Sequence, residues 1–278
     1  MDINQLLYSE IVEKALVEDL GSGDVTTSNI FGLDHSGSGL VIAREKGVAA
    51  GLPVAEMVFK TLNQAIQWDQ FCPEGTEFRS GDVLAEIKGS MQAILSGERV
   101  ALNFLQRLSA IATRTRTYSE RAAKYNVKIL DTRKTTPGLR VLEKYAVRLG
   151  GGINHRIGLY DAALVKDNHI KGAGGIKNAV LRLKSKLPMT AKIEVEVENM
   201  AQVEEALDAG VDIIMLDNMA PEKMKQAVEL IDGKVLVEAS GSIGLDDVEA
   251  VAAAGVDYIS VGALTHSVEA LDISLDIR

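Results

Sequence analysis

The stretch "MAQVEEALDAGVDIIMLDN", residues 200–218, decides the fold. Val203, Ala206 and Leu207 fall on one helical face, Gly210 stops the helix, and the apolar run 213–216 ends in Asp217. The same order returns at 245–260, "LDDVEAVAAAGVDYIS", with Val248, Val251 and Ala252 on the face, Gly255 as the stop and Ser260 at the end. Further apolar runs at 128–130, 162–165, 193–195 and 235–237 end at Asp131, Lys166, Glu196 and Glu238. The six end points lie 35, 30, 21, 21 and 22 residues apart, the length of a strand-plus-helix unit. Such alternation predicts a parallel sheet covered by helices. With about six units and no GxGxxG turn, the pattern favours an α/β barrel over a doubly wound sheet.

The first hundred residues follow another rule. "GSGLVIAREKGVAAG" (37–51) and "EGTEFRSGDVLAEIKGS" (74–90) predict short alternating strands separated by glycine turns. "PVAEMVFKTL" (53–62) and the long run 97–125 predict helices. A first domain of α+β type therefore precedes the barrel, with the joint near 105–115.

The chain has 278 residues, 46% apolar and 25% charged, the composition of a globular protein with a full-sized core. No apolar run reaches the roughly 20 residues that span a bilayer. The acidic, amphipathic start lacks the marks of a signal peptide. Its single cysteine, Cys72, excludes an internal disulfide and is too few for a zinc site. A cytoplasmic protein is expected. The net charge of −9 argues against general nucleic-acid binding, but the charge is uneven. Residues 99–171 hold 15 Lys/Arg against 5 Asp/Glu, leaving 15 basic and 34 acidic residues elsewhere. A basic island in an acidic chain suits a small polyanion. Arg114, Arg116, Arg121 and Lys124 equally fit a solvated helix face.

In barrels of parallel strands, functional side chains gather at the strands' carboxyl ends. Here those ends supply Asp131-Thr132-Arg133-Lys134, Lys166-Asp167-Asn168-His169, Glu196, Asp217-Asn218, Glu238-Ala239-Ser240-Gly241 and Ser260-Val261-Gly262. Arg133, Lys134, Arg156 and Lys166, with His155 beside them, make a cationic cluster for carboxylates or phosphates. Glu196 and Asp217 offer the hard oxygens that magnesium takes, or partners for those cations. "ASGSI" (239–243) and "VGALTHS" (261–267) place small residues before helices, as phosphate loops do. The substrate called for has a phosphate end, a magnesium-bridged polyanion and a further anionic partner.

Several longer motifs carry a resemblance: "EDLGSGDVTT" (18–27), "GERVALNFLQRLSAIAT" (97–113), "DTRKTTPGLR" (131–140), "GGINHRIGLYDAALVKDNH" (151–169), "KIEVEV" (192–197), "MLDN" (215–218) and "EASGSI" (238–243). Together they resemble the quinolinate phosphoribosyltransferase family over almost the whole chain. The resemblance implies an N-terminal α/β sandwich domain, 1–110, followed by an incomplete, open α/β barrel, 111–267, with the tail 268–278 free to pack back on the first domain. It implies transfer of phosphoribose from phosphoribosyl pyrophosphate to quinolinate with decarboxylation, in de novo NAD synthesis. It also implies Mg2+ and a homodimer sharing its active site. Carried over residue by residue, Arg133, His155, Arg156 and Lys166 would hold the quinolinate carboxylates, with Arg99 reaching in from the partner subunit. Lys134, Thr135 and Lys166 would meet the phosphoribosyl pyrophosphate, and Glu196 and Asp217 its magnesium and ribose hydroxyls. Ser240, Gly241, Ser242, Val261, Gly262 and Ala263 would hold the 5′-phosphate. Lys134, Lys166, Glu196 and Asp217 would be the catalytic set.

Three rivals remain at this level. A non-catalytic barrel scaffold or regulatory binding protein would be expected to lose Glu196, Asp217 or the basic cluster, and none is missing. A related transferase acting on nicotinate would leave part of the cation set unpaired. A Schiff-base isomerase or aldolase using Lys166 would need apolar surroundings, whereas Lys166 lies among other cations and is followed by Asp167-Asn168-His169.

Overall fold

A computed structural model describes residues 3–278. It divides into two compact units: the chain up to Arg116 with Thr135–Gly151 and Thr265–Arg278, and Thr117–Lys134 with Gly152–Leu264.

In the first unit, strands β1 (Ser36–Ala43), β2 (Gly47–Val48), β3 (Gln67–Gln70), β4 (Glu77–Phe78) and β5 (Val83–Ser90) come from the alternating segments. β3, "QWDQ", has too few apolar residues to be read as a strand; its pairing with β5 makes it one. The main sheet is antiparallel, with β1 paired to β5 on one side and to the last strand of the chain on the other. The helices Ser9–Leu20 and Leu52–Leu62 pack on each other in this unit. The second begins after Gly51, which sits in the left-handed region, and its first N–H groups meet Glu74, whose oxygens accept from Gly51 N and Leu52 N at 2.9 Å. The long helix Met91–Ala122 starts six residues before the expected 97, because Met91 follows β5 without a turn.

The second unit holds six parallel strands: β6 (Lys128–Leu130), β7 (Ala163–Val165), β8 (Ile193–Val197), β9 (Ile213–Asp217), β10 (Leu236–Ser240) and β11 (Tyr258–Ser260). The last strand, β12 (Ile273–Ile277), belongs to the first sheet. The order β6-β11-β10-β9-β8-β7 is an open α/β barrel, in which β6 and β7 do not pair. Ile153 forms a parallel bridge to Leu130 on the free edge of β6.

Helices fall where the punctuation put them. Asn199 caps Met200–Ala209 by accepting from Gln202 N, and Gly210, at φ +68°, ends it. β8, β9 and β10 run one to three residues past the apolar runs and take in Glu196, Asp217 and Ser240. Register explains the extension. Glu196 lies opposite Met215, Met215 opposite Glu238, and Asp217 opposite Ser240, so the polar residues share one face. Val195, Val197, Ile214, Leu216, Val237 and Ala239 occupy the other face and are buried. Among the described residues no helix is long and apolar enough to cross a membrane.

Candidate active site

Parallel pairing puts all six carboxyl ends on one edge of the barrel sheet. Val165 lies opposite Val195, which sets Lys166 beside Glu196, and the Lys166 ammonium pairs with Oε2 of Glu196. Lys166 is also the cap residue of the helix Asp167–Ala173, where its N–H donates to Nδ1 of His169 at 3.0 Å. His169 is thereby spent on the turn. Asp217 and Ser240 lie side by side, and Asn218 Nδ2 donates to Asp217 Oδ2 at 2.7 Å.

The turns after β9 and β10 are strained. Asn218 and Ser242 have φ of 52° and 48°, two of the four positive-φ non-glycine residues described. Strain of this kind collects at functional sites. Asn218 N donates to Ser240 O at 3.0 Å, so the two turns lean on each other. Gly241 sits between them at φ +109°, and a Cβ there would lie 2.4 Å from Asn218 Oδ1 and 2.6 Å from its N. Only glycine fits. Across the sheet, Val261 N donates to Leu130 O at 2.9 Å, fixing the Val261–Gly262–Ala263 segment to β6.

The cations reach the same edge by different routes. Arg133 and Lys134 follow β6 and are exposed, and Lys134 N donates to Thr132 Oγ1 at 3.0 Å. Arg156 stands on the segment that Ile153 anchors to β6; its Nη1 donates to Ala162 O at 3.2 Å, bridging toward β7. Burial, and then the nearby Arg133 charge, lower the Arg156 pKa, with Glu194 and Asp161 opposing them, so the two guanidinium groups stand close enough to feel each other.

His155 is half-buried and turned inward. Its Nε2 lies 3.1 Å from Glu194 Oε2 and 3.5 Å from Glu238 Oε2, and its Nδ1 accepts from Arg156 N at 2.7 Å. Burial lowers the His155 pKa, but the hydrogen bonds to Glu194 and Glu238 outweigh it and raise it. Burial likewise raises the Glu194 carboxyl. Nδ1 accepts the Arg156 N–H, so Nε2 is the ring nitrogen that donates toward Glu194 and Glu238.

Two of the expected residues belong to the first unit. Arg99 is exposed on the helix Met91–Ala122, and Thr135 Oγ1 accepts from Arg140 Nε at 3.0 Å. The basic island also contains structural members. Arg116 donates to the Gly75, Leu149 and Gly150 carbonyls, Arg114 to Ser267 O, and Arg121 and Lys124 pair with Asp246 and Glu249.

A cavity of about 750 Å³ opens beside this edge, lined by Leu159, Tyr160, Val165, Leu183 and Leu187 among others, with Arg156 in its wall. Its largely apolar lining is unsuited to a pyrophosphate, and it contains neither Glu196 nor Asp217. Sequence reasoning did not single out Glu194, Asn154 or Asn218 as functional. The signal for Glu194 was present in "IEVEV", where it stands two residues before Glu196 and hence on the same face.

Fold and strand edge together define an α/β barrel with charged and polar side chains gathered at one sheet edge. Comparison with known proteins is more specific. Residues 24–109 match the description "Quinolinate phosphoribosyl transferase, N-terminal domain", and residues 111–276 match "Quinolinate phosphoribosyl transferase, C-terminal domain". The chain belongs to the quinolinate phosphoribosyl transferase family. It is 44% identical to a probable nicotinate-nucleotide pyrophosphorylase (carboxylating) of Bacillus subtilis, over 99% of this chain and 95% of that one. With the corresponding Synechocystis protein the identity is 46%, over 96% and 91%. The crystal structure of NadC from Streptococcus pyogenes superposes with a TM-score of 0.97 at 42% identity, covering 100% of this chain and 99% of that one.

Proposed function

We propose that this protein transfers the phosphoribosyl group of phosphoribosyl pyrophosphate to quinolinate with decarboxylation, giving nicotinate mononucleotide, pyrophosphate and carbon dioxide for de novo NAD synthesis. The observation that carries the reading is the division of one sheet edge: an Arg133–Arg156 cation pair at one side, a glycine-serine turn locked by Asn218 at the other, and the Lys166–Glu196 ion pair between.

The quinolinate ring nitrogen is the nucleophile. Its lone pair forms the bond to the ribose anomeric carbon while the bond to the pyrophosphate oxygen breaks and its electrons leave with pyrophosphate. The ring nitrogen is then cationic, and it stabilises the electron pair left on the ring when the adjacent carboxylate departs as carbon dioxide; a proton drawn ultimately from water takes up that pair and completes the ring C–H of nicotinate mononucleotide. The protein need supply no covalent nucleophile, only position, charge and exclusion of water.

Arg133 and Arg156, with His155 at their base and the partner's Arg99, hold the two carboxylates. Lys134 and Lys166 meet the pyrophosphate, and Thr135 supports that loop. Ser240, Gly241, Ser242, Val261, Gly262 and Ala263 hold the 5′-phosphate. Glu196 and Asp217 face the ribose and stabilise its cationic character as the pyrophosphate leaves. Their all-oxygen donor set on neighbouring strands fits Mg2+, which they would hold together with substrate oxygens. When bound, the metal supplies positive charge to the leaving pyrophosphate.

The proposal extends to a homodimer and to a cytoplasmic location. The dimer is supported by the exposed Arg99 and by bare apolar side chains on the first unit, with Leu6 84% and Leu33 88% exposed. The location is supported by a lone, buried cysteine, Cys72. The test is release of pyrophosphate and carbon dioxide with quinolinate against nicotinate, with and without magnesium. Release with quinolinate and magnesium alone is expected; equal pyrophosphate release with nicotinate would overturn the reading.

A further inference from the structure

Three carboxylates are sealed in the barrel unit where the reaction gives them no direct part: Asp131, Glu194 and Glu238, at 0%, 4% and 2% exposure. Buried acids are costly unless something holds them. They sit on or just after three different strands, β6, β8 and β10, yet all three grip one irregular segment. Asp131 Oδ1 accepts from His155 N at 2.8 Å, and its Oδ2 from Asn154 Nδ2 at 2.6 Å. Glu194 and Glu238 each turn Oε2 to the His155 ring, while neither Oε1 has a hydrogen-bond partner. The ring passes the constraint on, because its Nδ1 holds the Arg156 N–H. Arg156 is thus fixed at its backbone from within the barrel and at its guanidinium by Ala162 O.

We propose that Glu194 and Glu238 are positioning residues for the dicarboxylate site: they clamp His155 from two strands and so set where the Arg156 guanidinium stands. The inference rests on the reaction proposed above. The ligand atoms of His155, Glu194 and Glu238 lie within 4.8 Å of one another, a spacing that also suits a metal. The Nδ1 contact argues against one. With that nitrogen accepting, Nε2 carries the proton and donates to the carboxylates, and no lone pair is left for an ion.

The test compares Glu194→Gln, Glu238→Gln, Glu194→Leu and Glu238→Leu with the unmodified enzyme. It reads KM for each substrate, kcat, and the exchange of the His155 ring Nε2 proton by NMR. The leucine variants, which lack an acceptor, are expected to raise KM for quinolinate about tenfold or more, the scale of a misplaced substrate anchor. KM for phosphoribosyl pyrophosphate should stay within about twofold, and glutamine should restore most of the loss. In the unmodified enzyme the ring proton is expected to be protected, and in the leucine variants to exchange freely. An unchanged quinolinate KM, or both KM values rising together, would overturn the clamp. Should the leucine variants not fold, free exchange in the unmodified enzyme, or an equal rise of both KM values in the glutamine pair, overturns it. If the unmodified enzyme turned over nicotinate instead, the functional reading would fall, while the exchange measurement would still decide the clamp.

Discussion

Gly241 shows how much one missing carbon can decide. Its φ of +109° and the 2.4 Å gap from a would-be Cβ to Asn218 Oδ1 leave no room for alanine unless the Asp217–Asn218 turn moves. Gly241→Ala should cost about 1–3 kcal/mol of stability, read by urea unfolding, and should raise KM for phosphoribosyl pyrophosphate more than KM for quinolinate. At the other side of the edge, Arg133 stands near enough to Arg156 to lower its pKa. Arg133→Ala should raise KM for quinolinate by a factor equivalent to about 2–5 kcal/mol, the usual loss when one member of a desolvated charge pair is truncated. An unchanged value in steady-state kinetics would remove Arg133 from the carboxylate site.

At the scale of elements, polar residues buried under helices decide what the motifs are for. In the helix Arg140–Leu149, Glu143 is fully buried and accepts from Arg107 Nε and Nη2 at 2.9 and 2.7 Å, and from Thr136 N at 3.1 Å. Arg107→Ala would strand that carboxylate and should cost about 3–5 kcal/mol; Glu143→Gln, which keeps hydrogen bonds and leaves only a part-exposed arginine, should cost clearly less. Urea midpoints of the two variants check the order. "GDVTT" proves to be a cap: Asp24 Oδ1 accepts from Thr26 N and Thr27 N, and Oδ2 from Ser96 Oγ. The Thr27 and Ser96 hydrogen bonds hold its carboxyl down to about 2, against the ordinary 3.8. A lowered acid stabilises the fold above its unfolded value, and this contribution disappears as pH falls from about 3.8 through about 2. A carboxyl-detected NMR titration should find Asp24 near 2, and Asp24→Asn should flatten stability against pH in that window.

At the scale of the molecule, the basic island is not one site. Arg107, Arg114 and Arg116 bind carbonyls and carboxylates of the first unit, Arg121 and Lys124 those of the second, while Arg133 and Lys134 follow β6, Arg156 meets Ala162 O and Lys166 pairs with Glu196 at the barrel edge. With Arg99 on the first unit, a shared active site predicts rescue between defective chains. Mixing Arg99→Ala with Arg133→Ala protein, each impaired alone at low quinolinate, should return activity through hybrid dimers, and light scattering should give twice the 29.8 kDa chain mass. A monomer, or no recovery on mixing, would show that the sites are not shared.

The sequence by itself determined the succession of strand and helix, the α/β-barrel class and the polar residues at the strand tips. Each is written in local period and punctuation: apolar runs, helix faces and glycine stops within about 20 residues of one another. Only the tertiary structure decided that His155 turns inward to Glu194 and Glu238, that Asn218 makes Gly241 irreplaceable, and that "QWDQ" becomes a strand. Those outcomes depend on register between strands 20 to 80 residues apart, and on buried charges that need partners no local pattern can name.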